Sequence, residues 1–488
     1  MRIYINKFNF LKLLINFILF FLICLIFLLS FHKFGPEIPS RHGDDAAYFN
    51  TAFNIEKYGV ASHQVEEFRV YKHKNLIKPP FYSYVLSLFF KTDSKFQDVS
   101  LECVYSVNIS KICSEFVQSS KKINLGIHFI HSIILYFAIF IFTKNYFLSI
   151  AGGLMIFTSS YFLNNTNYFM TETLSATLLL LNSIFLYLFF KMSRFKNTFL
   201  IFSSIFLGLL ILTKAVYLYY FYFLFLIFLS IKFVKLLYLR LKISPPNFSF
   251  LFKLKHILIF FIIVFIFIFP WKFRNFIESG EFKITLQGGN VIAERAEYLK
   301  TDIEDIKYGI IYYLPSKKIK DKFKEQLENK IYMFDEAHSN SHYQNSDDLE
   351  KSFVLSKLNW NEKNKPDKVF NKSVELIKEE PIKHLYLSIM FFVRGIFQET
   401  NLNKYPMIIE YISSLVHWSS VIFIPIIFIY LIILKNKFAI LILPSVFTIF
   451  TYSFFTDFEP RYASVIVSTY VLVIMIFIKK TFVYKKNE

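Results

Sequence analysis

Apolar residues in this chain come in long unbroken runs, separated by short basic stretches or by longer polar ones. Leu13 to Phe31 is the first run. It holds one Asn and no charge, and Arg2, Lys7 and Lys12 stand ahead of it. A helix of about 20 apolar residues crosses about 30 Å of hydrocarbon, where no water is present to satisfy an open backbone. Ten runs predict ten spanning helices, at roughly 13–31, 123–142, 146–164, 168–190, 197–213, 215–234, 256–274, 408–434, 437–455 and 461–478. Ser30-Phe31-His32 does not form a small-x-small cleavage pattern, so the first run reads as an uncleaved anchor. The expected fold is an all-α polytopic membrane protein with extracytoplasmic juxtamembrane helices and a small loop domain.

Two polar segments, about 32–122 and 275–407, divide the chain into a membrane module 1–274, a second segment 275–407 and closing helices 408–488. Within the second segment, Ile382 to Phe397 is half apolar but carries Lys383, His384 and Arg394. It is short and charged, which reads as an interfacial helix. A span there would instead reverse the parity and move 275–381 to the cytoplasm. An even number of spans puts both termini on one side. Lys144, Lys191, Arg194, Lys196, Lys232, Lys235, Arg240, Lys242, Lys253, Lys255, Lys435, Lys437, Lys479, Lys480, Lys485 and Lys486 all fall in or beside loops on that side. Excess Lys and Arg mark the cytoplasmic face, so cytoplasmic termini in the plasma membrane are expected, with both long segments outside.

Composition supports this reading. The chain is 55% hydrophobic with only 12 Gly in 488 residues, whereas a soluble chain of that length divides into domains joined by polar linkers. The formal charge of +19 would suggest nucleic acid in a soluble protein. Here it belongs to the loop asymmetry, so membrane lipids and no nucleic acid are the expected partners. Of three cysteines, Cys24 lies in the first run, while Cys103 and Cys113 share the outer loop, where an oxidising environment makes them a disulfide candidate. There is no CxxC or His/Cys metal spacing, and no internal repeat of the kind that marks inverted-repeat transporters.

The candidate chemistry gathers at the outer ends of the runs. Asp44 and Asp45 open a helical pattern in which Phe49 and Phe53 share a face. As bare sequence the pair reads first as helix-capping, and second as a base at the membrane surface. Lys78-Pro79-Pro80-Phe81-Tyr82 makes a rigid step into an apolar stretch. Glu172 stands near the outer end of the fourth run, where a carboxylate is costly and therefore a site candidate. Pro270-Trp271-Lys272-Phe273-Arg274-Asn275 and Glu459-Pro460-Arg461-Tyr462 place cations on the outer side, against the general charge trend. Lipid headgroups or the phosphate of a lipid-linked donor would serve as their partner.

Taken in order, the Asp-acid-x-x-Tyr loop, the Lys-Pro-Pro-aromatic-Tyr step, Thr171-Glu172-Thr173-Leu174, Pro-Trp-x-x-Arg-Asn and Glu-Pro-Arg-Tyr resemble the bacterial GT-C glycosyltransferases. These are relatives of protein O-mannosyltransferases and lipid A aminoarabinose transferases. The resemblance implies a multi-span bundle and a polyprenyl-phosphate-linked sugar donor. Asp44 matches the catalytic loop Asp, Asp45 stands where Glu is commoner, Tyr48 matches the Tyr, and Glu172 matches a second outer carboxylate. Lys91 to Lys122 and most of 290–380 have no counterpart. The implied reaction moves a hexose or pentose to a hydroxyl of a glycan, lipid or protein. Asp44 would be the base, and Asp45 and Glu172 would orient the acceptor or an optional divalent ion. Lys78, Arg274 and Arg461 would hold the donor phosphate, with Tyr48, Tyr82, Lys272 and Tyr462 around them. No G-x-x-x-x-G-K-[ST] loop is present to hold a nucleotide. The rival readings are a non-enzymatic carrier or flippase, for which Lys214 is the main intramembrane charge, and a surface-glycan ligase or polymerase.

Overall fold

The computed structural model describes residues 7–32, 44–62, 78–100, 110–240, 254–285, 288–324, 366–398 and 405–484, together with Leu327, Val354 and Lys357. Among them there are helices and no strands. In chain order these are α1 (Lys7–Phe31), α2 (Asp44–Tyr58), α3 (Phe81–Phe90), α4 (Lys111–Thr143), α5 (Tyr146–Phe157), α6 (Ser160–Asn165), α7 (Glu172–Lys191), α8 (Lys196–Thr213) and α9 (Tyr217–Arg240). There follow α10 (Leu254–Ser279), α11 (Gly288–Glu297), α12 (Ile303–Tyr313), α13 (Lys317–Lys322), α14 (Pro366–Glu379), α15 (Pro381–Phe397), α16 (Met407–Ile433), α17 (Ala439–Phe455) and α18 (Pro460–Tyr484).

Every expected span falls on a helix. Among the described residues seven helices are long and apolar enough to cross a bilayer: α1, α4, α7, α8, α10, α16 and α18. The expected span 215–234 falls on α9, apolar over Tyr217–Ser230, 437–455 falls on the shorter apolar helix α17, and 146–164 is divided between α5 and α6. The division follows from Thr158-Ser159-Ser160. Hydroxyl side chains compete with the backbone for hydrogen bonds, and Thr158 Oγ1 donates to the Leu154 carbonyl at 2.9 Å. The chain is a multi-pass all-α membrane protein.

Burial separates the inner helices from the lipid-facing ones. In α7 and α18, 72% and 67% of the apolar window is covered by protein, against 17% in α1 and 28% in α10 and α16. The central helix α7 packs against α8, α18, α17 and α4. Both α7 and α18 begin at the same end of the bundle, where Glu172 and Arg461 lie close together.

At that end α2, α3 and the start of α4 form an aromatic layer. Phe49 packs against Phe90 at 5.4 Å and Phe169 at 5.0 Å, and Phe90 against Phe116 at 5.0 Å. Burying a Phe side chain is worth about 1.5–3 kcal/mol, so this layer fixes α2 with its first turn over the start of α7. The shared face of Phe49 and Phe53, expected from their spacing, is buried.

The helix expected over 382–397 is α15. It packs on α12, α17 and α18, while Ile382, Leu385 and Ile389 are exposed. Cys113 is disulfide-bonded and Cys24 is free and buried; Cys103 lies outside the described residues. Thiol counting on the denatured chain should therefore find one free thiol before reduction and three after it, since the chain has three cysteines. Three thiols before reduction would contradict the bridge.

Candidate active site

Asp44 stands in the first turn of α2 and Glu172 in the first turn of α7. Each carboxylate thus lies where unsatisfied N–H groups and the helix dipole favour negative charge. Asp44 accepts from Lys78 Nζ, and its other oxygen lies 3.9 Å from Arg461 Nη1. Lys78 reaches it because Pro79 and Pro80 set the step into α3. Burial alone would raise the Asp44 carboxyl, but the fields of Lys78, Arg461 and Lys214, with the Lys78 hydrogen bond, hold it well below the usual carboxylate range.

Glu172 Oε1 accepts from Lys214 Nζ at 3.0 Å, and both side chains are almost fully buried. The Lys214 ammonium lies 4.5 Å from the centroid of the Tyr462 ring, and that ring stacks on Tyr452 at 4.5 Å. Arg461 Nη2 donates to the Tyr462 hydroxyl at 2.8 Å, and Arg461 Nε lies 2.6 Å from Glu459 Oε2. The second oxygen of Glu459 lies 3.4 Å from Arg394 Nη2. The result is a chain of ion pairs, Lys78–Asp44–Arg461–Glu459–Arg394, beside a second pair, Lys214–Glu172, that meets it through the Tyr462 ring.

Tyr48 is buried close to Asp44, and Tyr82 is buried behind it. Their rings meet edge to face at 5.3 Å. Tyr82 donates to Asn124 Oδ1 at 2.7 Å, and Asn124 donates to the Tyr168 carbonyl at 2.6 Å. Tyr48 is hydrogen-bonded to Thr171. Burial, then the charges of Asp44 and Glu172, push its phenol well above the ordinary range, so it stays protonated as a donor. Asp45 is buried and accepts from the Phe169 amide at 2.5 Å, tying α2 to the loop that leads into α7.

The structure thus brings together Asp44, Lys78, Arg461, Tyr462, Glu172, Tyr48 and Tyr82. It places two expected residues elsewhere. Lys272 lies over the Phe282 ring at 4.4 Å. Arg274 donates to the Ala61 carbonyl at 3.0 Å and stacks beside Trp271. It lines a separate cavity of about 570 Å³ with Tyr84, Phe81 and Glu278. Lys214, Glu459 and Arg394 enter the network in their place. Lys214 follows the last apolar turn of α8, and a lone Lys at that depth was the available signal for it. The bond between Arg394 and Glu459 joins α15 to the start of α18, and no sequence spacing reports it.

Among the described residues no three His, Cys, Asp or Glu side chains gather to hold a metal ion. The site carboxylates are instead engaged by ammonium, guanidinium or backbone N–H groups.

No family model matches the sequence, and no curated protein matches it. Two solved structures of ArnT from Cupriavidus metallidurans are similar to this chain, one in the apo state and one bound to undecaprenyl phosphate. They align with 93% and 95% of this chain and 77% of theirs, at 10% identity and TM-scores of 0.33 and 0.34.

Proposed function

We propose that this protein is a membrane glycosyltransferase that moves a sugar from a polyprenyl-phosphate donor to a hydroxyl acceptor, on the extracytoplasmic face of the plasma membrane. The observation that carries the reading is the carboxylate of Asp44, flanked by two cations at the bilayer end of a helical bundle. A donor with its tail in lipid presents its phosphate at that depth. Lys78 and Arg461 would exchange Asp44 for the phosphate, making charge-assisted hydrogen bonds to it. With its cations withdrawn, Asp44 regains proton affinity and becomes an effective base.

In the transfer step the acceptor oxygen bonds to the anomeric carbon as the bond from that carbon to the phosphate oxygen breaks. The acceptor proton goes to Asp44. The electron pair of the broken bond stays on polyprenyl phosphate, whose added charge Lys78 and Arg461 stabilise. Tyr48 and Tyr82, buried in the aromatic layer, support the first turn of α2 from behind. A carrier has no use for this division between one base and two cations. Its charges would lie deep within several spans, whereas the pair of Lys214 and Glu172 lies at the same helix ends as the rest of the site.

Two experiments test the reading. Membrane-impermeant labelling of single cysteines at Glu281 and Arg240 should mark the first from outside and the second only after lysis. Labelling of position 281 from the cytoplasm would overturn the orientation. Purified protein should bind polyprenyl phosphate, and Lys78→Met should weaken that binding. Equal binding by the variant would remove Lys78 from the donor site.

A further inference from the structure

The ion network runs beyond the groups that face a substrate. Glu459 stands between two arginines, with one oxygen 2.6 Å from Arg461 Nε and the other 3.4 Å from Arg394 Nη2. Arg394 is 5% exposed and its Nε donates at 3.1 Å to Gln398, the residue that follows α15. Its neighbour Gly395 is seated just as closely. A Cβ there would come within 2.3 Å of the Phe458 ring, the residue before Glu459. The Gly395 carbonyl also accepts from His417 Nε2 of α16 at 3.1 Å. Two consecutive residues of α15 thus address the short turn that delivers Arg461, one by charge and one by the absence of a side chain.

We propose that Arg394 and Glu459 are positioning residues, and that α15 sets through them the place of the Arg461 guanidinium beside Asp44. Resting on the glycosyltransferase reading, the inference names a control point for it outside the substrate pocket. Glu459 takes the Nε edge of the guanidinium and Tyr462 takes Nη2. Nη1 donates to the Met170 sulfur at 3.8 Å and lies 3.9 Å from Asp44, too far for a closed ion pair with hydrogen bonding. A guanidinium held on two sides loses little further freedom when a phosphate arrives, which is the advantage of preorganisation. Arg394 completes the arrangement by holding Glu459 itself. The amphipathic α15, with Ile382, Leu385 and Ile389 exposed, couples its own seating to the geometry of the donor site.

The test compares wild type, Glu459→Gln, Arg394→Met, Arg394→Lys and Gly395→Ala, each alone and in an Arg461→Ala background. It reads donor KM, kcat, binding of sugar-free polyprenyl phosphate, and Tm. Displacing a positioned group by about 1 Å can cost up to about 10²-fold. Arg394→Met and Glu459→Gln should therefore raise donor KM and weaken polyprenyl phosphate binding by about 10-fold or more. Arg394→Lys should recover most of the loss, and Gly395→Ala should mimic it by pushing Phe458. All these effects should vanish once Arg461 is replaced by alanine. Folded variants with wild-type donor KM, or losses that persist in the Arg461→Ala background, would overturn the inference. Melting supplies a readout independent of turnover. Arg394 and Arg461 meet through Glu459, so their effects on Tm should be non-additive. If wild type neither binds nor transfers, the glycosyltransferase reading fails by itself, and additive Tm effects would then sink the positioning network as well.

Discussion

Asp44→Asn is expected to lower sugar transfer by about 10²–10⁴-fold at saturating donor, the usual worth of a positioned general base. Asparagine keeps the size of the side chain and can still occupy the first turn of α2. It cannot take the acceptor proton, and it leaves Lys78 without its anionic partner. Stability should therefore fall as well, with a defined pH signature. The folded-state pKa of Asp44 is depressed, so its stabilising contribution is fully present above the unfolded value of about 3.9 and is lost as pH falls through the folded value. The Tm gap between wild type and Asp44→Asn should be constant from neutral pH down to about 4 and should close only below that. An Asp44→Asn protein that is folded and turns over within a few-fold of wild type would remove Asp44 as the base.

The second large effect concerns the cations. Lys78→Met and Arg461→Ala should each lower kcat by about 10²–10³-fold, the usual range for losing one preorganised group that stabilises developing charge. Donor KM should rise as well if the same contact is made in the ground state. Lys78→Met carries a further mark. Removing the cation that favours ionised Asp44 raises the pKa of the base, so the acid limb of the activity profile should move to higher pH. Arg461→Ala should move it less, because its nearest approach to Asp44 is 3.9 Å. A variant that loses rate with an unmoved acid limb in both cases would separate these cations from Asp44.

The part of this site that sequence exposed is the part carried by charge at the ends of apolar runs. Asp44, Lys78, Glu172 and Arg461 are costly residues next to hydrocarbon; Asp44 meets Lys78 and Arg461, and Glu172 pairs with Lys214 beside them. Lys272 and Arg274 satisfy the same criterion and do not join them. Depth along a helix is legible from hydropathy, but azimuth is not. Each residue turns the side chain by about 100°, so the end of α10 could present either cation to the site, to lipid or to a neighbouring cavity. Packing of α10 against α8 decided it. Lys214 was legible as an intramembrane charge, yet its partner Glu172 lies 42 residues away and is brought to it by the antiparallel packing of α7 and α8. Arg394 was hidden for a different reason. An amphipathic helix with Lys383, His384 and Arg394 reads as a membrane-surface element, and only the fold shows that its Arg394 side is buried against the turn at Phe458 and Glu459.

The pair Asp44 and Asp45 shows how the two readings of a helix start divide. Capping and catalysis both call for a carboxylate at that place. In the structure the two residues separate the duties: Asp45 bonds the Phe169 amide and fixes α2, while Asp44 faces the cations. Length alone also understated the break at Thr158-Ser159-Ser160, since the run 146–164 remains apolar on average while its hydroxyl groups end α5.

The central claim is that the protein breaks the bond between sugar and lipid phosphate rather than moving the intact lipid. The direct measurement uses purified protein in liposomes containing a polyprenyl-phosphate sugar radiolabelled in the sugar, with a mixture of envelope glycans, lipids and proteins offered as acceptor. The account predicts that label leaves the lipid fraction, appears on an acceptor with release of sugar-free polyprenyl phosphate, and does so at a rate that collapses with Asp44→Asn. Label that stays on the polyprenyl lipid while that lipid changes leaflet, at the same rate in wild type and Asp44→Asn, would contradict it and identify a carrier.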